Sequence, residues 1–164
     1  MNSHTPPVPD PAAATVLRLA DIDPAQVATL LARHHLTLEP VADGAPIPGS
    51  YWGEPEAGII GNHVYARADT PVHSLLHEAG HLIVLDPEYR ATIHTDATDS
   101  VEEEDAVCYL QILLADQLPG VGSARLMADM DAWGYSFRLG STRAWFEQDA
   151  TNARDWLGRH HLLP

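Results

Sequence analysis

The segment between Thr70 and Pro87 constrains the fold more than any other part of this 164-residue chain. Thr70-Pro71 has the residue types that begin a helix, and Asp86-Pro87 has those that end one. Between these signals, apolar residues recur at helical spacing. They are Val72, Leu75, Leu76, Ala79, Leu82 and Ile83. The spacing predicts a helix with this apolar face toward a core and its opposite face toward a cleft.

The opposite face of this helix carries His77-Glu78-Ala79-Gly80-His81, an H-E-x-x-H motif. Residues i and i+4 of a helix share a face, so both imidazoles can bind one zinc ion through nitrogens at about 2.0–2.1 Å. Glu78 then points beside the ion, where a general base is needed. His73 lies one further turn away, too far to bind the same ion, and we expect it to line the cleft or support a ligand.

A third ligand is expected from the acidic run at residues 102–105. Asp99-Ser100 and Pro119-Gly120 predict the start and the end of a helix that contains this run. Only Glu103 lies on the apolar face of that helix, so Glu103 is the predicted ligand and Glu104 the alternative. That apolar face consists of Val107, Leu110 and Leu114. Capping by Ser100 and Glu103, together with the helix dipole, would explain an acidic first turn without any metal.

These motifs resemble the gluzincin metallopeptidases, in which the two histidines of H-E-x-x-H and a glutamate from a later helix bind zinc. From Glu103 onward, the chain also resembles the E-x-x-A pattern of the ImmA/IrrE-like peptidases, or the minigluzincins. Leu113-Leu114 corresponds to the paired leucines of that helix. The resemblance covers roughly residues 64–118.

The resemblance implies zinc held by His77, His81 and Glu103, with Glu78 as the catalytic base. Manganese or iron could occupy the same ligands. The oxyanion of the reaction would need a further donor, which the sequence does not single out. The candidates are His94, Tyr89, Tyr109 and Tyr135.

The remaining elements follow from helical spacing and turn residues. Helices are predicted at about 24–35, 124–133 and 142–157, and short β-prone runs at 59–60 and 63–66. The β-prone runs flank Gly61-Asn62 and form either a hairpin or one bent strand. Prolines and glycines predict irregular chain at residues 39–58.

The predicted fold is α+β: a compact, mostly helical, zincin-like domain with a small sheet against the H-E-x-x-H helix. Residues 15–164 would form this single domain. Residues 1–14 contain four prolines and neither a basic residue nor a long apolar run. We expect them to be a flexible lead-in rather than a signal peptide or an anchor.

The charge of the chain bears on its partners. Its formal net charge is −14, and its nine basic residues are scattered arginines. Such a surface repels phosphate backbones and anionic lipids, so neither nucleic acid nor a membrane is the expected partner. Cys108 is the only cysteine, which excludes an intrachain disulfide and suits a cytoplasmic location.

The predicted function is that of a zinc metallopeptidase, a hydrolase that cleaves a protein or peptide through a metal-activated water with Glu78 as general base. One alternative is a catalytically inactive protein-interaction module of the same fold, and a second is a metal-free helical domain. Glu78 favours the enzyme, because a structural zinc site does not need a base there.

Overall fold

The computed structural model describes residues 15–94 and 100–164, so the expected lead-in at 1–14 lies outside the described residues. Within these ranges the helices are α1 (Pro24–Ala32), α2 (Val72–Ile83), α3 (Pro87–Arg90), α4 (Val101–Ala115), α5 (Ser123–Trp133), α6 (Thr142–Gln148) and α7 (Thr151–Arg159). The strands are β1 (Thr37–Val41), β2 (Gly58–Ile60) and β3 (His63–Arg67). The expected α+β class, mostly helical with a small sheet, is confirmed.

The sheet has the order β1-β3-β2, with β3 in the centre. β2 and β3 pair in antiparallel fashion, with Ile59 opposite Val64. The two predicted β-prone runs are therefore a hairpin and not one bent strand. Gly61, in the connecting turn, has a φ of 58°, a conformation that glycine adopts without a steric penalty.

β1 is a strand that the sequence interpretation missed. Its second half falls in the segment predicted to be irregular, yet it pairs in parallel with β3 along its whole length, Pro40 opposite Ala66 included. A proline is tolerated here because β1 is an edge strand and needs no hydrogen bonds on its outer side. The strand exists because β3 offers a partner, which local residue patterns do not reveal.

α2 confirms the helix predicted between Thr70 and Pro87, but its exposure differs from the prediction. Every residue of α2 is buried, including the histidines of the face expected to open into a cleft. α4 packs along α2 and covers that face. The H-E-x-x-H motif therefore lies at a helix–helix interface rather than on an open wall.

α2 and α4 approach closely where Gly80 faces Val107. A Cβ atom added to Gly80 would lie 3.0 Å from Val107 Cγ1, closer than ordinary van der Waals contact. The missing side chain therefore sets how near the two backbones can come. Around this contact, buried apolar residues of the sheet, α2, α4 and α5 form one connected cluster.

Arg90 of α3 holds the end of α2. Its Nε donates to Leu82 O at 2.7 Å, and its Nη1 donates to His34 O at 3.0 Å. Burial lowers the pKa of this guanidinium, and Asp86 acts in the opposite direction. Arg90 thus ties the end of α2 to the turn that follows α1.

The last predicted helix, 142–157, is wrong in one respect, because the structure divides it into α6 and α7. The break falls at Asp149, whose φ of −136° is not helical. Arg138 donates two hydrogen bonds to its carboxylate, at 2.6 and 2.8 Å. The chain then turns so that α7 packs against α4.

No helix within the described ranges combines the length and apolar character needed to cross a bilayer.

Substitution of Gly49 should show how tightly the loop before β2 is packed. Gly49 and Gly44 both have positive φ, 72° and 78°, so alanine at either costs about 1–2 kcal/mol of backbone strain. At Gly49 the new Cβ would also lie 2.4 Å from Ile59 O, whereas nothing lies within 4 Å at Gly44. We expect Gly49→Ala to lower the free energy of unfolding, measured by urea denaturation, by about 1–3 kcal/mol more than Gly44→Ala. An equal loss of unfolding free energy in the two variants would contradict the close packing at Gly49.

Candidate metal centre

Three side chains from α2 and α4 direct ligand atoms into one small space. The Nε2 atoms of His77 and His81 lie 3.2 Å apart. Glu104 Oε2 lies 3.1 Å from His77 Nε2, and Glu104 Oε1 lies 3.0 Å from His81 Nε2. All three groups offer ligand atoms within 4.8 Å of one another, so they can hold a metal ion.

Local structure and helix packing both contribute to this arrangement. The two histidines stand one turn apart on α2, and helical periodicity alone brings them together. Glu104 lies in the first turn of α4, after Ser100, whose Oγ accepts a hydrogen bond from Glu103 N at 3.3 Å. The predicted Ser100 cap is thus confirmed, and it sets where α4 begins.

Glu104 joins the histidines, whereas Glu103, the ligand expected from the sequence, lies outside this group. Glu103 Oε1 is buried and receives no hydrogen bond from the described residues. The expectation assumed that the apolar face of α4 points toward the site. In the structure α4 packs against α2, α5 and α7, so apolar residues surround it and do not single out one direction.

The face of α4 that does meet the histidines carries two further polar residues, Cys108 and Gln111. His77 Nδ1 donates a hydrogen bond to Gln111 Oε1 at 2.7 Å. Gln111 Nε2 donates in turn to His73 O at 3.0 Å. The sequence interpretation missed Gln111, although its position seven residues after Glu104 marks the same helix face two turns on.

His77 and Glu104 shift each other's pKa. Burial is the largest single influence on the pKa of His77 and acts to lower it, but the charge and hydrogen bonding of Glu104, together with those of Cys108, outweigh burial and raise this pKa well above the usual value. Burial likewise acts to raise the pKa of Glu104, and the two histidines outweigh it, so this pKa is lowered. The pair therefore holds opposite charges inside the protein unless a cation replaces the proton.

Glu78, between the two histidines in sequence, is buried. Burial raises its pKa to about 7, while His81 and His77 act to lower it. A carboxyl group with a pKa near neutrality can both accept and release a proton during a reaction. This property matches the general base that the motif predicts.

A second buried carboxylate, Glu56, lies near the same helix and was not foreseen from the sequence. Its oxygens accept hydrogen bonds from Ser74 Oγ and Trp133 Nε1, both at 2.7 Å. The charge of Glu56 contributes to the raised pKa of Glu78. Glu56 therefore links the loop before β2 to α2 and α5 and influences the site electrostatically.

Of the four residues considered as oxyanion donors, Tyr135 packs against the site histidines. Its hydroxyl lies 3.2 Å from His73 Nδ1, and its ring centroid lies 6.0 Å from that of His77. Tyr109 stacks on Phe146 at 4.6 Å, and Tyr89 is 57% exposed. His73 is buried beside Tyr135, and its two expected roles stay predictions.

His94, the fourth of these residues, forms an isolated β-bridge with Ile60. Cys108 is buried. Burial raises the pKa of this thiol to about 11, with His77 acting to lower it. Such a thiol is unreactive at neutral pH.

Comparison of the chain with protein-family models, curated proteins and solved structures found no match. The resemblance to gluzincins therefore stays an expectation based on H-E-x-x-H and a glutamate from a later helix. The E-x-x-A pattern starts at Glu103, which is not in the metal-binding group. Any assignment of function must rest on the geometry of the site.

The His77–Glu104 pair should make the stability of the metal-free protein depend on pH. The pKa of His77 is raised above 6.5, so its contribution is complete below that pH and is lost as the pH rises through its folded pKa. The pKa of Glu104 is lowered below 4.5, so its contribution is complete above that pH. We expect Glu104→Gln to lower the free energy of unfolding by about 3 kcal/mol between these two values, and by less at higher pH.

Urea denaturation of chelator-treated protein at about pH 5.5 and about pH 9 measures this difference. Glu103→Gln is the matched control, because it removes the neighbouring carboxylate from outside the group. A loss that grows as the pH rises, or that is shared by the control, would contradict the pairing.

Proposed function

We propose that this chain is a zinc-dependent metallopeptidase that hydrolyses peptide bonds of a protein or peptide substrate. The observation that carries the proposal is the convergence of His77, His81 and Glu104, with Glu78 adjacent to a ligand. Two imidazoles and one carboxylate form a donor set typical of catalytic zinc, which uses three protein ligands and leaves one position for water or substrate. The residues present therefore fit the ion.

When bound, zinc would supply a Lewis acid that polarises the scissile carbonyl and lowers the pKa of a water molecule. Glu78 accepts a proton from the attacking water and delivers it to the leaving nitrogen. Its pKa of about 7 suits both steps, since the group is neither locked in its charged form nor permanently protonated.

The substrate class and location belong to the same proposal. With a net charge of −14, the chain is poorly suited to nucleic acids or anionic membranes and better suited to polypeptides. A single buried cysteine agrees with a cytoplasmic location, where disulfides are rare.

Zinc affinity should depend on Glu104 and not on Glu103. Glu104→Ala removes one of three ligands, and we expect the zinc dissociation constant to rise by at least about 100-fold. Glu103→Ala, one residue away in the same helical turn, should leave it within about twofold. Competition with a chromophoric chelator measures both constants. Equal losses in the two variants would contradict the ligand set, and a wild-type protein that binds no zinc would contradict the proposal.

Glu78→Gln should separate an enzyme from an inactive interaction module. The amide keeps the shape of the side chain but cannot accept a proton, so we expect hydrolysis of fluorescently labelled casein to fall by at least about 100-fold. Zinc binding should be preserved, because Glu78 is not a ligand. An interaction module would show no hydrolysis in wild type, and unchanged hydrolysis in the variant would exclude Glu78 as the base.

A further inference from the structure

The hydrogen bonds around Gln111 determine which nitrogen of His77 faces the ligand group. A backbone carbonyl can only accept, so the amide group 3.0 Å from His73 O must be the Nε2 donor of Gln111. The Oε1 acceptor of the same amide is then the atom 2.7 Å from His77 Nδ1. His77 Nδ1 must carry a proton to make this bond, and Nε2 is left as the nitrogen that can bind a cation.

We infer that Gln111 is a positioning residue for the metal centre: it holds His77 in the Nδ1–H form and orients its Nε2 toward His81 and Glu104. This inference rests on the proposed function, because it assigns a role toward the same ion. Gln111 is not itself one of the three candidate ligands. It acts through His77, as second partners of metal-binding histidines do in general.

Three features of the described structure support a role beyond filling the core. Gln111 is completely buried, and both ends of its amide are used, one by a ligand and one by the backbone of the ligand's own helix. Its anchor, His73 O, lies one turn before His77, so α2 supplies both the ligand and the reference point that orients it. His81 offers a contrast, because its buried Nδ1 has no hydrogen-bond partner among the described residues.

A neutral amide also differs chemically from a carboxylate in this position. It accepts the Nδ1 proton without adding a further negative charge to a group that already contains Glu104. Glu104 therefore supplies the negative charge, and Gln111 orients the His77 ring.

The test uses the full-length protein with zinc chloride as the only added ligand. Gln111→Met keeps the length of the side chain but removes the acceptor, and we expect zinc binding to weaken by about 10–100-fold. Gln111→Glu restores an acceptor for Nδ1–H, and it should bind zinc at least about tenfold more tightly than Gln111→Met. Ile112→Ala is the control, because it opens the core at the next residue of α4 and should leave zinc affinity within about twofold.

A second measurement needs no zinc. Nitrogen-15 NMR of the metal-free wild type should show the proton of the neutral His77 ring on Nδ1, because Gln111 Oε1 accepts from that atom, and Gln111→Met should lose this preference. An unprotonated Nδ1 in wild type, or a Gln111→Met variant with wild-type zinc affinity, would overturn the inference. If wild type binds no zinc, the proposed function fails, while the NMR result still decides the role of Gln111.

Discussion

α2 and α4 lie against each other at Gly80 and Val107, and the candidate metal centre depends on this contact. A side chain at Gly80 would begin 3.0 Å from Val107 Cγ1, closer than ordinary van der Waals contact, so Val107 would have to shift to accommodate it. The distances from Glu104 to the two imidazoles are 3.0 and 3.1 Å. Glu104 reaches the histidines across the interface between α2 and α4, so the packing of these two helices also positions the candidate ligand atoms.

The interior around this contact contains buried polar groups, several of which are paired. Burying isolated charges costs several kcal/mol each, roughly, unless other groups compensate. Here Glu104 is paired with both histidines, Gln111 satisfies His77, and Glu56 accepts hydrogen bonds from Ser74 and Trp133. The arrangement holds Glu78 at a pKa of about 7 in a buried position. A site of this kind is suited to proton transfer and cation binding more than to stabilising the fold.

Local signals predicted the elements that carry the site, and long-range pairing decided the elements around it. The helix start and stop signals at Thr70-Pro71 and Asp86-Pro87 bracket α2, and Ser100 caps α4 as predicted. β1 and the break between α6 and α7 were not predicted. The first depends on a parallel partner far along the chain, and the second coincides with the ion pair between Arg138 and Asp149. Residue patterns within one segment carry no information about either.

The sequence by itself determined that His77 and His81 share one helix face, because a spacing of four residues nearly completes a helical turn. It also restricted the third ligand to the acidic first turn of α4. Only the tertiary structure showed that Glu104, and not Glu103, lies with the two histidines, and that Gln111 forms a hydrogen bond with His77. Adjacent residues differ by about 100° around a helix axis, and an apolar stripe can locate the site only when one side of the helix is buried. α4 is covered by α2, α5 and α7, so its rotation is set by packing on all three.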